Sequence, residues 1–397
     1  MISRVSDNIK YLTIVNNLFS VQSQYNTISE KLASQKEINR PSDDPLATSR
    51  IMDYSSTRAG ISKYKSNMDQ SSGWLDITES ALNGVADILG NIHEMAIAQS
   101  SATASADTRQ IAATSLQPLI DQIRSLANSQ YKGDYIFAGT KIQAEPFSSS
   151  VGAATVGTAT AAEGNRFNGT VTSSGAYTGT TNKAYVVKIV TGGTLAASTY
   201  RISSDGGKTW GATAADLSAP IALGDGIQLT FAAGTEDLAA NDVFYVQGQA
   251  AGYYRGNGEN LSVDIYKNTP FAYNLTGQEV FTSADGGVDI FDMLNSLKTA
   301  LETNNVSGIQ AQLDNLGRAQ DQIANFTAEC GTRQNRLDIA KTNLTQLDGR
   351  LEDLTSSIQD ADVAALVTQL TNKQIALQAS YELAANISRM TILDFLK

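Results

Sequence analysis

Residues 61–96, ISKYKSNMDQSSGWLDITESALNGVADILGNIHEMA, decide how this chain is to be read. Ile61, Tyr64, Met68, Ser71, Leu75, Thr78, Leu82, Val85, Leu89, Ile92 and Ala96 recur at alternating steps of three and four, and only Ser71 and Thr78 among them are polar. That spacing returns side chains to one side of an α-helix. As one helix the stretch would be roughly 54 Å long. A helix of that length with a single apolar stripe predicts a rod that needs a partner along the stripe.

The same rhythm extends to both ends. Leu18, Val21, Tyr25, Ile28 and Leu32 form an earlier stripe, and Leu116, Ile120, Ile123 and Leu126 a later one beyond Asp107. Pro118 falls inside the later stripe, which predicts a helix start or kink there. Towards the C-terminus, Ile309, Leu313, Leu316 and Ile323 open a seam that Leu337, Ala340, Leu344, Leu347, Leu351, Leu354 and Ile358 continue. A last stripe holds Val363, Leu366, Leu370, Leu377, Tyr381, Ala384 and Ile387. Each buried Leu contributes about 1.5–3 kcal/mol, and a lone helix cannot collect it. The terminal stripes are therefore expected to pair with each other and with further copies of the chain.

Between the arms the period changes to two. Of 31 glycines, 21 lie from Gly152 to Gly287, and glycine disfavours helix interiors while serving turns. Tyr185, Val187 and Ile189, then Tyr200 and Ile202, then Ile227, Leu229 and Phe231, then Val243 and Tyr245 alternate with their neighbours. Gly192-Gly193, Asp205-Gly206-Gly207 and Gly224-Asp225-Gly226 supply turns. The expected fold is α+β and multidomain: a long helical coiled-coil or bundle rod formed by both termini, with an inserted antiparallel β-sandwich or barrel-like module. Three layers are expected, 1–44 with 358–397, 45–147 with 286–357, and 148–285.

Composition narrows the functional classes. The net charge is −11 and no block of five like charges occurs, so neither a nucleic-acid surface nor a membrane surface is expected. One Cys and one His leave no pair for a disulfide and no Cys/His zinc set. The N-terminal MISRVSDNIKYLTIVNNLF lacks the continuous apolar core of a Sec signal. The expectation is a soluble protein, cytoplasmic or exported without a cleaved signal.

No catalytic or cofactor motif passes scrutiny. Asp205-Gly206-Gly207-Lys208-Thr209 imitates a phosphate loop, but Ile202 stands where the leading glycine belongs and no helix follows. A hairpin turn is the better reading. His93 has no nucleophile signalled beside it and reads as a solvated helix face; Cys330 lies on the apolar seam. Asp43 and Asp44, in Asn39-Arg40-Pro41-Ser42-Asp43-Asp44-Pro45, read as an elbow, with Asp44 capping the next helix and Pro45 at its first position. No enzyme, cofactor or metal is expected.

Four segments carry a family resemblance. The elbow Ile38–Pro45, the stretch Tyr135-Ile136-Phe137-Ala138-Gly139-Thr140-Lys141 with Pro146-Phe147, the helix opening Gly331-Thr332-Arg333-Gln334-Asn335-Arg336-Leu337, and Gln359-Asp360-Ala361-Asp362 with the ending Ile392-Leu393-Asp394-Phe395-Leu396 resemble, in that order, the bacterial flagellin superfamily and within it the hook–filament junction branch. The resemblance covers about 1–147 and 286–397 and not the module between. It implies Tyr135, Phe137 and Gly139 in a hairpin, and a structural subunit exported unfolded by the flagellar type III apparatus. It also implies a homo-oligomeric ring between the first hook-associated protein and flagellin, and a cytoplasmic chaperone on the C-terminal helix. Filament flagellin is the nearest alternative. A more distant one is a secreted glycan binder anchored by Trp210, Tyr253 and Tyr254.

Overall fold

The computed structural model describes residues 2–101 and 103–395, with no side chain described at residues 2–8, 10, 11, 285 or 386–395. Seven α-helices occur among these residues: α1 (Ile2–Ser34), α2 (Pro45–Ser100), α3 (Ala106–Ala127), α4 (Gly277–Phe281), α5 (Ile290–Glu302), α6 (Val306–Gln359) and α7 (Val363–Phe395). The fold is α+β, with the long helices at both ends of the chain and an antiparallel insert between them. Two compact units result. One takes the chain up to Lys63 together with everything from Lys341, and the other is Tyr64–Ala340.

In the second unit the part of the 61–96 stripe from Met68 to Ala96 lies in the core. Leu75, Leu82, Val85, Leu89 and Ile92 are fully buried, as are Leu116, Ile120 and Ile123 of α3, Leu294 of α5 and Leu316, Ile323 and Cys330 of α6. The two polar members of the stripe are also buried. Ser71 donates its hydroxyl to the Asn67 carbonyl at 2.9 Å and Thr78 to the Trp74 carbonyl at 2.8 Å, so each satisfies itself within its own helix and packs as a small apolar residue. α3 starts at Ala106, with Ser105 accepting from the Thr108 N–H, and runs unbroken through Pro118. The expected start at Pro118 is thus corrected: Pro118 and Thr114, whose carbonyl loses its usual donor, both lie on the exposed side, where that carbonyl is open to solvent rather than buried unpaired.

The strands begin with a two-residue ladder, β1 (Gln130–Tyr131) and β2 (Asp134–Tyr135), followed by β3 (Phe147–Gly152). The insert proper holds β4 (Thr155–Val156), β5 (Thr160–Ala161), β6 (Thr170–Gly175), β7 (Lys183–Thr191), β8 (Thr199–Ser203), β9 (Ala214–Ala215), β10 (Ile221–Gly224), β11 (Ile227–Ala232) and β12 (Val243–Gln249). The chain returns along β13 (Gly252–Tyr254), antiparallel to β3, and then forms β14 (Ser262–Tyr266) and β15 (Thr269–Ala272). Strands β4, β12, β7, β8 and β9 neighbour one another in that order, with β5 also on β12, while β10, β11 and β6 form a second sheet. The inward residues of both sheets share one core of Tyr185, Val187, Ile189, Leu229, Phe231 and Phe244 with their neighbours.

That core draws on no residue outside 154–250, and Gly152 opposite Gly252 brings the two ends of the insert together. A fragment of residues 153–251 is therefore expected to fold by itself with one cooperative melting transition. A fragment with a random-coil circular dichroism spectrum would show that the helices are needed to close this core.

Candidate assembly surface

α1 and α7 pack along each other. A bridge between Lys36 and Asp360 at one end and a 3.2 Å hydrogen bond from the Tyr381 hydroxyl to Gln22 Oε1 further along give them an antiparallel course. Ile28 is 8% exposed and Leu366 4%. Both line one open groove with Thr27, Lys31, Gln369 and Lys373. Leu18, Val21, Tyr25 and Leu32 on α1, with Leu370 and Leu377 on α7, are only half-buried, and Tyr381 is exposed. The Ile387 side chain lies outside the description.

The opposite sides of both helices also carry exposed apolar residues. Phe19 is 65% exposed and Ile375 62%. Leu12 stands one heptad before Phe19, and at 100° per residue both point away from Ile28, as Ile375 points away from Leu366. The stripe of α6 behaves likewise inside this unit, for Leu344 is 3% exposed and Leu354 46%. On α1 the polar groups between Leu12, Phe19 and Ile28 are uncharged: no Asp, Glu, Lys or Arg occurs from residue 11 to 29.

Two turns hold this unit together. The Glu37 N–H donates to the Gln359 carbonyl at 2.7 Å and the Ala361 N–H to the Gln35 carbonyl at 3.0 Å, so the turn leaving α1 is zipped to the turn entering α7. Asp43 Oδ2 accepts from the backbone N–H groups of Arg40 at 2.9 Å and Asn39 at 3.0 Å. These bonds, the Arg40 one foremost, hold its carboxyl below the usual Asp value. Asp44 Oδ1 caps α2 through the N–H groups of Leu46 and Ala47, with Pro45 opening the helix. Arg40 also reaches Glu30 at 2.7 Å, and Pro41 is exposed. Each elbow residue has a local partner or faces solvent. The cross-turn zipper leaves no sequence signal, since backbone groups make it and Gln35 takes a left-handed φ of 57° where glycine is the usual marker.

Tyr135, Phe137 and Gly139 do not share one hairpin. Tyr135 ends the β1–β2 ladder, whereas Phe137 is fully buried with its ring edge-on to Phe281 at 5.1 Å. Gly139 has φ 68°, and a Cβ there would meet Asn257 Oδ1 at 2.1 Å. The resemblance therefore marks the point where strands join helices, an aromatic cluster that also holds Phe147, Tyr254 and Phe291. Tyr254 is buried, donating to the carbonyls of Phe137 and Asn257, and Tyr253 packs on Phe291. Of the three aromatic anchors considered for a glycan, Trp210 alone stays exposed.

The remaining sequence candidates have structural partners. His93 is half-buried and not solvated as expected; its Nδ1 lies 2.9 Å from Gln320 Oε1 on α6. Cys330 donates to the Leu75 carbonyl, and burial pushes its thiol up to about 12. Asp205 accepts from the Thr209 N–H and locks a hairpin turn. Among the described residues no cluster of His, Cys, Asp or Glu is arranged to hold a metal, and no helix is long and apolar enough to cross a membrane.

Asp289, the cap of α5, has its carboxyl raised to about 6, because burial outweighs the Asp292 N–H it accepts. A group raised in the folded state lends stability that is full below its unfolded value of 3.8 and lost as pH rises through 6. Asp289→Asn keeps the cap acceptor, so it is expected to stabilise the protein by about 1–3 kcal/mol at pH 8 and to make no difference at pH 4. Denaturant unfolding at both values checks this; equal gains at both would assign the effect to packing.

Residues 5–142 match the bacterial flagellin N-terminal helical region and residues 313–396 its C-terminal helical region. The chain belongs to the flagellin family. Within it, flagellar hook-associated protein 3 of Salmonella typhimurium is 31% identical to this flagellin-family chain over 150 residues, 38% of this chain and 47% of that protein. The match thus spans about half of that relative. Flagellin A of Vibrio cholerae is 23% identical over 98% of both chains. A solved structure described as a flagellar hook-associated protein from Vibrio parahaemolyticus, 15% identical, covers 80% of this chain and 100% of its own with a TM-score of 0.51, a likeness of fold.

Proposed function

We propose that the chain is a structural subunit of the bacterial flagellum, forming a homo-oligomeric ring at the junction between hook and filament and carrying out no catalysis. The observation that carries this reading is the two-sidedness of the terminal helices. α1 and α7 close one seam through Ile28 and Leu366 yet present Phe19 and Ile375 to solvent, and exposed apolar faces on a helical pair are met by other chains. Residues 1–44 with 358–397 would be the inner layer of the ring, 45–147 with 286–357 the next, and 148–285 the outermost. The ring would meet the first hook-associated protein on one side and flagellin on the other, outside the cell. Export would follow the flagellar route, with a cytoplasmic chaperone covering the C-terminal helix until assembly.

The full-length alignment with Flagellin A favours a second reading, a filament flagellin. Immunogold labelling of intact flagella separates the two. One band at the hook end is the expected result, and label along the filament would replace the junction by the flagellin reading.

A further inference from the structure

The outward face of the six-stranded sheet holds an unusual pair. Lys188 of β7 stands directly opposite Arg201 of β8, with Val243 of β12 on its other side. Tyr185, Val187 and Ile189 are in the core, so by strand alternation Lys188 and Arg201 point outward. Like charges directly opposed across a ladder destabilise it. Neither residue belongs to an ion pair, whereas the insert's Arg166 and Lys183 are bound to Glu236 and Asp225. The Arg201 Nε instead donates to Thr213 Oγ1 at 2.8 Å, which fixes its stem and leaves the other guanidinium nitrogens free. No strand of this sheet contains an Asp or Glu, although the whole chain carries a net charge of −11.

Beside the two cations, Tyr245 is 40% exposed on the same face and is paired with Thr160, which is also exposed. We propose that this face binds an anionic polysaccharide, the acid groups meeting Lys188 and Arg201 and a sugar ring lying on Tyr245. Charge complementarity selects an anion. The apolar surface near the pair amounts to Val190, Val243 and Tyr245, short of the larger apolar centre an acidic protein's interface would need, which favours a sugar polymer. Tyr245, with an apolar ring and a polar hydroxyl, suits a sugar face. The proposal does not depend on the chain's place in the flagellum.

The test uses the full-length protein on surfaces bearing dextran sulfate, plain dextran or poly-L-glutamate. Retention on dextran sulfate alone is expected, weakening with salt. The double variant Lys188→Gln/Arg201→Gln should lose about tenfold in retention, and Lys63→Gln, an exposed lysine outside the insert, less than about twofold. Relief of the like-charge pair predicts that the double variant melts no lower than the parent, so its loss of binding would not reflect unfolding. Retention unchanged in the double variant, an equal loss in Lys63→Gln, or poly-L-glutamate held as firmly as dextran sulfate would each overturn the proposal.

Discussion

A chain ending at Gln359 is expected to keep its Tyr64–Ala340 unit folded and to lose incorporation into the flagellum completely. Removing α7 takes away Leu366, which shares its groove with Ile28, and the Ala361 N–H that holds the turn after α1. α1 then loses the helix it packs along. A lone helix gains little from one hydrogen bond per residue against the entropy of ordering it, so α1 should melt along with the deletion. The Tyr64–Ala340 core, centred on Leu75, Leu82, Leu116 and Ile323, contains no residue of α1 or α7 and should be untouched. Circular dichroism should report helix lost from both termini and a cooperative melt retained. Filament growth from cells whose only copy is the truncated one would refute the assembly role of the terminal pair.

Arg109→Ala should produce a large loss of stability for a substitution outside the apolar core. Arg109 is 4% exposed, and its guanidinium donates to the carbonyls of Gln99 at 3.0 Å and Ser101 at 2.8 Å and to Asn304 Oδ1. None of these partners is a carboxylate. The positive charge instead faces carbonyls at the end of α2, where the helix dipole is negative. Truncation would strip three donors from acceptors that are half-buried at Gln99 and exposed at Ser101 and Asn304 and would remove the packing of a buried side chain, and a loss of about 2 kcal/mol follows. Arg109→Lys should recover less than half of it, since an ammonium cannot span three acceptors as a planar fork does. Denaturant unfolding measures both variants; a loss below about 1 kcal/mol for Arg109→Ala would mean that water replaces the guanidinium.

Arg109 also marks a limit of reading the chain in one dimension. A buried arginine without an acidic partner leaves no periodic trace, because two of its partners are backbone carbonyls, at residues 99 and 101, and the third, Asn304, lies 195 residues away. The helical stripes were legible because burial repeats at the helical period, so 61–96 emerged as one face of α2 and the alternating residues of β7, β8 and β11 as strands, whereas in β12 Phe244 and Val246 face the core and the Val243 and Tyr245 read from the sequence do not. Ser71 and Thr78 looked like flaws in a stripe and are not, since their hydroxyls close on their own helix. Pro118 misled for the opposite reason. Its local penalty is real, but α3 is held by Leu116, Ile120 and Ile123 on the other side, and tertiary burial outweighs it.

Sequence alone determined the order helix, strand, helix, the apolar faces and the elbow at Asn39–Pro45, all of which follow from residue type at short spacing, while the flagellin superfamily entered through the resemblance of four segments. Tertiary structure decided which stripes are covered. Leu344 and Leu354 share one stripe, yet one is 3% and the other 46% exposed. It also decided that Phe137 and Gly139 build a core rather than a hairpin, and that backbone groups near residues 36 and 360 meet. Covering a face and pairing a backbone depend on what arrives from hundreds of residues away, and periodicity carries no record of that.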